Sequence, residues 1–415
     1  MKTKSYVIVG SGVAGVQAAA EIKKRDPDGR VTIFNGEPFP FYYRPALSYY
    51  FKKAISEDEL AAKPLDWARN TGIRILNDRA AVVRTDEGEV AGASGVVEKY
   101  DRLLIATGAW PFKAPWIGAD LAGVFTYRGV VCAKTKMDYI RKNRAKKAVV
   151  VGGGILGVEM VENLRNMGLD VTLLVREDRP VGLLFDEEGA GIIRRQMEAD
   201  GVRVMTNTEM TEILGDSGRV EGVKLSTGET VEADMVVVAI GVRPETDFLE
   251  GSGVETDRGV VVDKFLRTNV EGVYAAGDVA VRRAGEALIP CRTWLTAAEM
   301  GRAAGANMAG APTPFKEKIF FNASHAYRSM YAVVGHYNEP EGAAVRHVVL
   351  NSPPGTRAKV ILDGGKVIGG IFIGHTAPAW GVYRAMENGA EIDANALSAK
   401  GVGALEAAGL PQFIF

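Results

Sequence analysis

The sequence predicts an α/β protein with two parallel-sheet domains and a smaller α+β domain at the C-terminal end, and three observations carry that prediction. The chain has 415 residues, which at about 150 residues per domain allows two or three domains. A strand, a glycine loop and a helix occur in the same order twice, first from Tyr6 and again from Ala148. From about Phe315 onward that pattern stops, and short apolar runs around turns take its place.

The first copy opens with Tyr6-Val-Ile-Val, an apolar run of the length of one buried strand. Gly10-Ser-Gly12-Val-Ala-Gly15 follows, then an expected helix over 16–24 and a second strand from Val31 to Phe34. The second copy reads Ala148-Val-Val-Val, Gly152-Gly-Gly154-Ile-Leu-Gly157, an expected helix over 158–167 and a strand from Val171 to Val175. Both halves close alike, with Ala-Thr107-Gly108-Ala-Trp-Pro111 matched by Ala-Ile-Gly241-Val-Arg-Pro244. Between a strand and a helix, such a loop is the mark of a Rossmann-like dinucleotide-binding unit. Its first glycine permits a tight turn, its second lets the backbone approach a pyrophosphate, and its third lets helix and strand pack closely, while the helix N-terminus supplies partial positive charge. Two units predict two dinucleotides.

After the second strand of such a unit a carboxylate usually takes a ribose hydroxyl. In the first unit Glu37 stands there, within Asn35-Gly-Glu-Pro-Phe-Pro-Phe-Tyr-Tyr-Arg44-Pro-Ala-Leu-Ser48. In the second, Val175 occupies the strand end, with Arg176 next and Arg179 three further on. A guanidinium in place of an acid suits a 2′-phosphate and favours NADPH over NADH; Glu177 and Asp178 stand close enough to substitute for the acid. A third segment, Leu266 to Asp278, reads as a short strand ending in Gly277-Asp278, followed by an expected helix over 294–309. An Asp beside glycine can approach a polyol, and a helix starting at Trp294 can aim its positive end at an anionic ligand.

Composition narrows the function. Lys and Arg total 50 against 51 for Asp and Glu, so no basic field steers nucleic acid. The 2 cysteines, Cys132 and Cys291, exclude a disulfide framework and a four-thiolate metal site within the chain. The 4 histidines show no metal-ligand spacing, so no metal is expected. The start, Met-Lys-Thr-Lys-Ser before an apolar strand, reads as lacking a signal peptide, and no run reaches the roughly 18 apolar residues of a membrane span. A soluble, cytoplasmic protein is expected.

These motifs together resemble the pyridine nucleotide-disulfide oxidoreductase-like flavoproteins, in the branch of rubredoxin reductases, ferredoxin reductases and NADH oxidases. The resemblance rests on Gly10 to Gly15, Glu37-Pro-x-Pro-x-x-x-Arg44-Pro-x-Leu-Ser48, Thr107-Gly108, Gly152 to Gly157, Gly241-x-x-Pro244 and Gly277-Asp278. It implies FAD on the first unit and NAD(P)H on the second, with Asp278 at the ribitol, Trp294 near the flavin and Glu159 bordering the nicotinamide and flavin rings. It also implies three parts: an FAD domain of residues 1–113 and 245–314, an inserted NAD(P) domain of 114–244 and a C-terminal interface domain of 315–415, with an oligomer allowed. The thiol-using members carry a cysteine near Ser48, whereas this chain reads Leu47-Ser48-Tyr49-Tyr50-Phe51. Members that pair a lysine with the Glu159 position place it where Tyr49 stands.

The expected function is therefore an FAD-dependent NAD(P)H oxidoreductase that exchanges electrons, in either direction, with an iron-sulfur or other redox protein. An NAD(P)H oxidase or quinone reductase with a diffusible acceptor is the alternative enzyme, and a flavin-binding interaction subunit the alternative of another class. Cys291 and Cys132 are expected to pack rather than react, Tyr43 is a candidate ring to stack on a cofactor, and Lys52 and Lys53 could meet an acidic partner. In the last part, Lys359 to Leu362 and Val367 to Ile373 flank Asp363-Gly-Gly365 as a hairpin, with a helix near 380–386 and an apolar tail, Pro411 to Phe415, expected to pack on its own domain.

Overall fold

The computed structural model describes residues 3–64, 66–291, 293–337, 342 and 344–401, so the Pro411 to Phe415 tail lies outside the described residues. The chain divides into two compact units. Residues 1–112, 128–130 and 242–317 form the first, and residues 113–127, 131–241 and 318–415 the second. Residues 128–130 thus cluster with the first unit and the C-terminal part with the second.

In the first unit the strand Ser5–Val9 lies at the centre of a five-stranded parallel sheet. Arg30–Phe34 and Ile73–Leu76 lie on one side, and Arg102–Ile105 and Val273–Ala275 on the other. Tyr6, Val7, Ile8 and Val9 are all buried, which explains why this strand reads as an unbroken apolar run. Strand order reverses at Ser5–Val9, the switch point outside whose carboxyl end a ligand crevice forms in such sheets.

The helices Val13–Arg25 and Trp294–Met308 pack within this unit at backbone contact. A Cβ on Gly301 would run into the carbonyl oxygen of Ala14, and one on Gly305 would lie 2.9 Å from the Ala18 Cα. These two glycines, one turn apart, allow the approach that joins two stretches of chain nearly 300 residues apart.

The second unit repeats the arrangement, with Lys147–Val151 between Asp170–Leu174 and Met235–Val238, and with Arg203–Met205 and Val124–Thr126 at the edges. The repeat breaks at the fifth strand, which follows the other four in the first unit and precedes them in the second. Both glycine-loop helices begin earlier than the sequence suggests, at Val13 and Ile155. Gly15 and Gly157 therefore sit inside the first helical turn rather than ahead of it.

The C-terminal part of this unit is a five-stranded antiparallel sheet in the order Phe321–Ala326, Ser329–Gly335, Lys366–Ile373, Arg357–Asp363, Val345–Val349. Its central hairpin turns at Gly364 and Gly365, both at positive φ. The helices Pro378–Glu387 and Ala394–Lys400 share a core with it through Val334, Leu362, Phe372, Val382 and Leu397.

Two buried charge clusters in this unit were not legible in the sequence. Asp186 caps the helix Glu187–Ala199 by accepting from the Gly189 amide at 3.0 Å. The same carboxylate receives Arg357 at 2.6 Å and Lys359 at 3.1 Å from the C-terminal sheet. Lys136, with no exposed surface, donates to the carbonyls of Thr126 at 2.5 Å and Cys132 at 2.9 Å, and lies over the Tyr127 ring at 5.0 Å. Burial pushes its ammonium down to about 8.

Above that value the unfolded chain holds the proton that folded Lys136 has lost, so stability rises with pH toward the ordinary lysine range. Relative to a Lys136→Met variant, the wild type is expected to gain up to about 3 kcal/mol over that window. Denaturant titrations at a series of pH values measure this, and parallel curves for the two proteins would refute it.

Candidate functional site

The two glycine loops share their backbone geometry. Gly10 has φ +113, and a Cβ there would strike the Ala106 carbonyl; Gly152 has φ +117, and a Cβ there would strike the Ala239 carbonyl. A Cβ on Gly15 would run into the Gly10 carbonyl oxygen, and one on Gly157 into that of Gly152. Gly12 and Gly154 cap their helices at φ −71, ψ −179 and φ −71, ψ 175, and neither would meet an atom within 4 Å if given a Cβ. Open space at the middle glycine is what a close ligand needs.

Neither helix has a side-chain cap. The helices after Asp186, Thr293 and Asp393 do, each cap accepting from an amide of the first turn. The glycine-loop helices thus leave their first amides to an outside acceptor, and a pyrophosphate fits them in charge and in room.

Around the first loop, strand Arg30–Phe34 ends one residue before Asn35, whose Oδ1 accepts from Ser11 Oγ at 2.5 Å. Glu37, two residues on, is the centre of an ion cluster. Its Oε1 receives Arg44 at 2.8 Å and Arg128 at 2.7 Å, and its Oε2 the Tyr42 hydroxyl at 3.0 Å. Burial pushes the Glu37 carboxyl up, but Arg44 and Arg128 more than offset that and hold it below the usual carboxylate range. Glu37 therefore stays charged, with two guanidiniums already turned toward it.

Arg128 also donates to the carbonyls of Ala109 at 2.8 Å and Thr107 at 3.3 Å and lies 4.0 Å from the Trp110 ring centre. Thr107 donates to the Glu245 carbonyl at 2.9 Å, so its hydroxyl ties the Ala-Thr-Gly segment to the chain that returns to this unit; Gly108 there has φ +71.

Gly277 has φ +80, and a Cβ there would lie 3.0 Å from the Ala14 Cβ. The next residue, Asp278, keeps exposed surface yet is closely surrounded at longer range. That surrounding protein raises its carboxyl, opposed by a hydrogen bond from the Cys291 thiol and by the charges of Arg44 and Arg128. The same burial, with the Asp278 charge, pushes the Cys291 thiol up to about 12. Such a thiol stays protonated and is a poor nucleophile. Trp294 opens its helix stacked on Phe41 at 5.9 Å and edge-on to Tyr43 at 5.1 Å, leaving Tyr43 47% exposed.

Around the second loop, Val175 is buried against Gly153, and Arg176 beside it is 73% exposed. Arg176 meets Glu177 at 3.2 Å and Glu209 at 3.9 Å, and Arg179 meets Asp178 at 3.3 Å. Val181 holds this loop to the glycine loop by donating its amide N–H to the Gly153 carbonyl at 2.7 Å, at a strained φ of 51 for a β-branched residue. Gly241, at φ +113, is open to a neighbour.

Glu159 is half-buried on the helix Ile155–Asn166. Its charge, after burial, helps push the Tyr331 phenol upward, and Asn322 donates to that phenol oxygen at 3.1 Å. Tyr331 and Arg128 escaped sequence reasoning. No spacing rule marks them, because each acts through a partner distant in the chain. Among the described residues no three of His, Cys, Asp and Glu cluster as metal ligands, and no helix is long and apolar enough to cross a membrane.

A family model described as pyridine nucleotide-disulphide oxidoreductase matches residues 4–305. Nitrite reductase [NAD(P)H] of Bacillus subtilis is 28% identical over 396 residues, covering 94% of this chain and 48% of that protein. Rubredoxin-NAD(+) reductase of Pseudomonas putida is 32% identical over 283 residues, covering 67% of this chain and 72% of that one. The crystal structure of a ferredoxin reductase from Rhodopseudomonas palustris superposes with a TM-score of 0.88 at 24% identity, over 98% of this chain and 100% of the other. The chain thus spans about half the length of the nitrite reductase it matches.

Proposed function

Because the chain belongs to the pyridine nucleotide-disulphide oxidoreductase family, we propose that it is an FAD-dependent NAD(P)H oxidoreductase that passes electrons between a nicotinamide cofactor and a redox protein with an iron-sulfur or similar one-electron centre. The observation that carries this reading is the pair of uncapped glycine loops with matching torsions, one in each unit. When bound, the nicotinamide supplies a hydride and the flavin the capacity to take up a pair of electrons and release them singly.

The chain's own residues bind and orient. In the first unit the amides after Gly12 take the FAD pyrophosphate, Glu37 takes a ribose hydroxyl while Arg44 and Arg128 keep it ionised, and Asp278 faces the ribitol. In the second unit the amides after Gly154 take the second pyrophosphate, Arg176 the adenosine edge with its 2′-phosphate, and Glu159 borders the reacting rings. A thiol relay has no support, since the stretch Leu47 to Phe51 holds no cysteine and the Cys291 thiol stays protonated. No residue of the chain is thus assigned to carry electrons between a bound flavin and the partner. Rubredoxin reductase and nitrite reductase among the relatives support a redox protein or a metalloenzyme subunit as that partner, and a cytoplasmic location accords with the use of NAD(P)H.

Anaerobic addition of NADPH or NADH to the flavin-loaded protein is expected to bleach the flavin absorbance. If neither nucleotide bleaches it, the proposal is wrong. If air alone restores the colour at the rate of turnover, the oxidase with a diffusible acceptor takes the place of the protein partner.

A further inference from the structure

The adenosine edge of the second unit holds a residue that no glycine motif marks. Three backbone hydrogen bonds lace the chain after Leu174 to the chain after Met205. The Val175 amide donates to the Met205 carbonyl at 2.8 Å, the Asn207 amide to the Glu177 carbonyl at 2.9 Å, and the Thr208 amide to the Val175 carbonyl at 3.0 Å. Asn207 makes this lacing with φ 51, a conformation its short polar side chain tolerates. Glu209, two residues on, is thereby brought beside Arg176, with Oε1 3.9 Å from Nε, while Glu177 holds the other end of the guanidinium at 3.2 Å.

We propose that Glu209 sets the choice between NADPH and NADH by competing with the 2′-phosphate for Arg176. The proposal rests on the reading of the second unit as the nicotinamide dinucleotide domain. One guanidinium and two carboxylates carry a net charge of −1, which opposes a 2′-phosphate and is indifferent to a 2′-hydroxyl. To bind the phosphate, Arg176 must leave Glu209 and turn its planar donor face to the ligand. A site that admits one ligand and resists another through a placed repulsive charge discriminates by a difference of affinities, not by contact with either alone. All three side chains are more than half exposed, so the expected effect is that of a solvent-screened pair.

The test is calorimetric titration of the flavin-loaded protein with adenosine 2′,5′-bisphosphate and with 5′-AMP, for the wild type, Glu209→Gln, Arg176→Ala and the double variant. Glu209→Gln is expected to raise the ratio of affinities in favour of the 2′-phosphate about two- to fivefold at low salt, less at high salt. In the Arg176→Ala background the shift is expected to shrink to less than half, to what direct repulsion between Glu209 and the phosphate leaves. An unchanged ratio, or a shift undiminished without Arg176, overturns the role given to Glu209 and leaves the dinucleotide reading standing. Failure of the wild type to bind either nucleotide overturns the dinucleotide reading, and this proposal with it.

Discussion

A Gly152→Ala variant is expected to lose NAD(P)H-driven flavin reduction at least about 100-fold while keeping its flavin. Two independent penalties meet at that position. The φ of +117 is one that an L side chain rarely adopts, which costs about 1–3 kcal/mol. The added methyl would also strike the Ala239 carbonyl, which belongs to the main chain and cannot swing aside as a side-chain end could. The loop must therefore shift, and with it the amides after Gly154 that are proposed to hold the second pyrophosphate. Together the two penalties exceed the roughly 2.7 kcal/mol that corresponds to a 100-fold loss. Stopped-flow reduction monitors the rate, and the visible spectrum reports the retained flavin. Normal reduction by the variant would show that the second loop does not hold the reductant. The reciprocal Gly10→Ala change strains the first loop in the same way and should release the flavin itself.

Removal of the Asp186 carboxylate is expected to destabilise the second unit by about 3–5 kcal/mol, because an Asp186→Ala protein leaves Arg357 and Lys359 buried with their shared counter-charge gone. Loss of the helix cap adds to the penalty. Guanidinium unfolding of the variant measures it, and a midpoint equal to that of the wild type would contradict the assignment. Acidity should mimic the mutation. Burial pushes the Asp186 carboxyl up, but the hydrogen bond from Arg357 leads the effects that hold it below its ordinary value. The group then contributes stability that is complete above the ordinary carboxylate range and is lost as the pH falls through its lowered folded value.

The sequence made the glycine loops legible because one steric demand, backbone against backbone with no room for a methyl, recurs in the same context at Gly10 and Gly152. The flanking strands Ser5–Val9 and Lys147–Val151 were legible for a related reason, since a strand covered on both faces has no polar side to interrupt its apolar run. Edges and partners were not legible. Strand Val124–Thr126 has three half-buried residues, too few for a period to emerge. Arg128 lies inside what reads as the inserted domain, yet it belongs with Glu37, 91 residues away. The packing glycines Gly301 and Gly305 disappear among 49 glycines of the chain. An ion cluster or a helix crossing depends on which distant segment arrives beside it, and that information lies in no local spacing.

The seam between Val13–Arg25 and Trp294–Met308 has a consequence for the order in which the protein is made. Strand Val273–Ala275 completes the first sheet beside Arg102–Ile105, and the late helix closes over the early one. Until both emerge from the ribosome, the edge of Arg102–Ile105 has no strand to pair with, and the chain must close a loop of more than 150 residues to cover it. Contacts of such separation form slowly. Asp278 and Trp294, which the proposed function places at the flavin, lie in the same segment, so on that reading flavin capture waits until the chain past Trp294 has emerged. A ribosome stalled before residue 270 should display the early glycine loop without the means to retain its ligand.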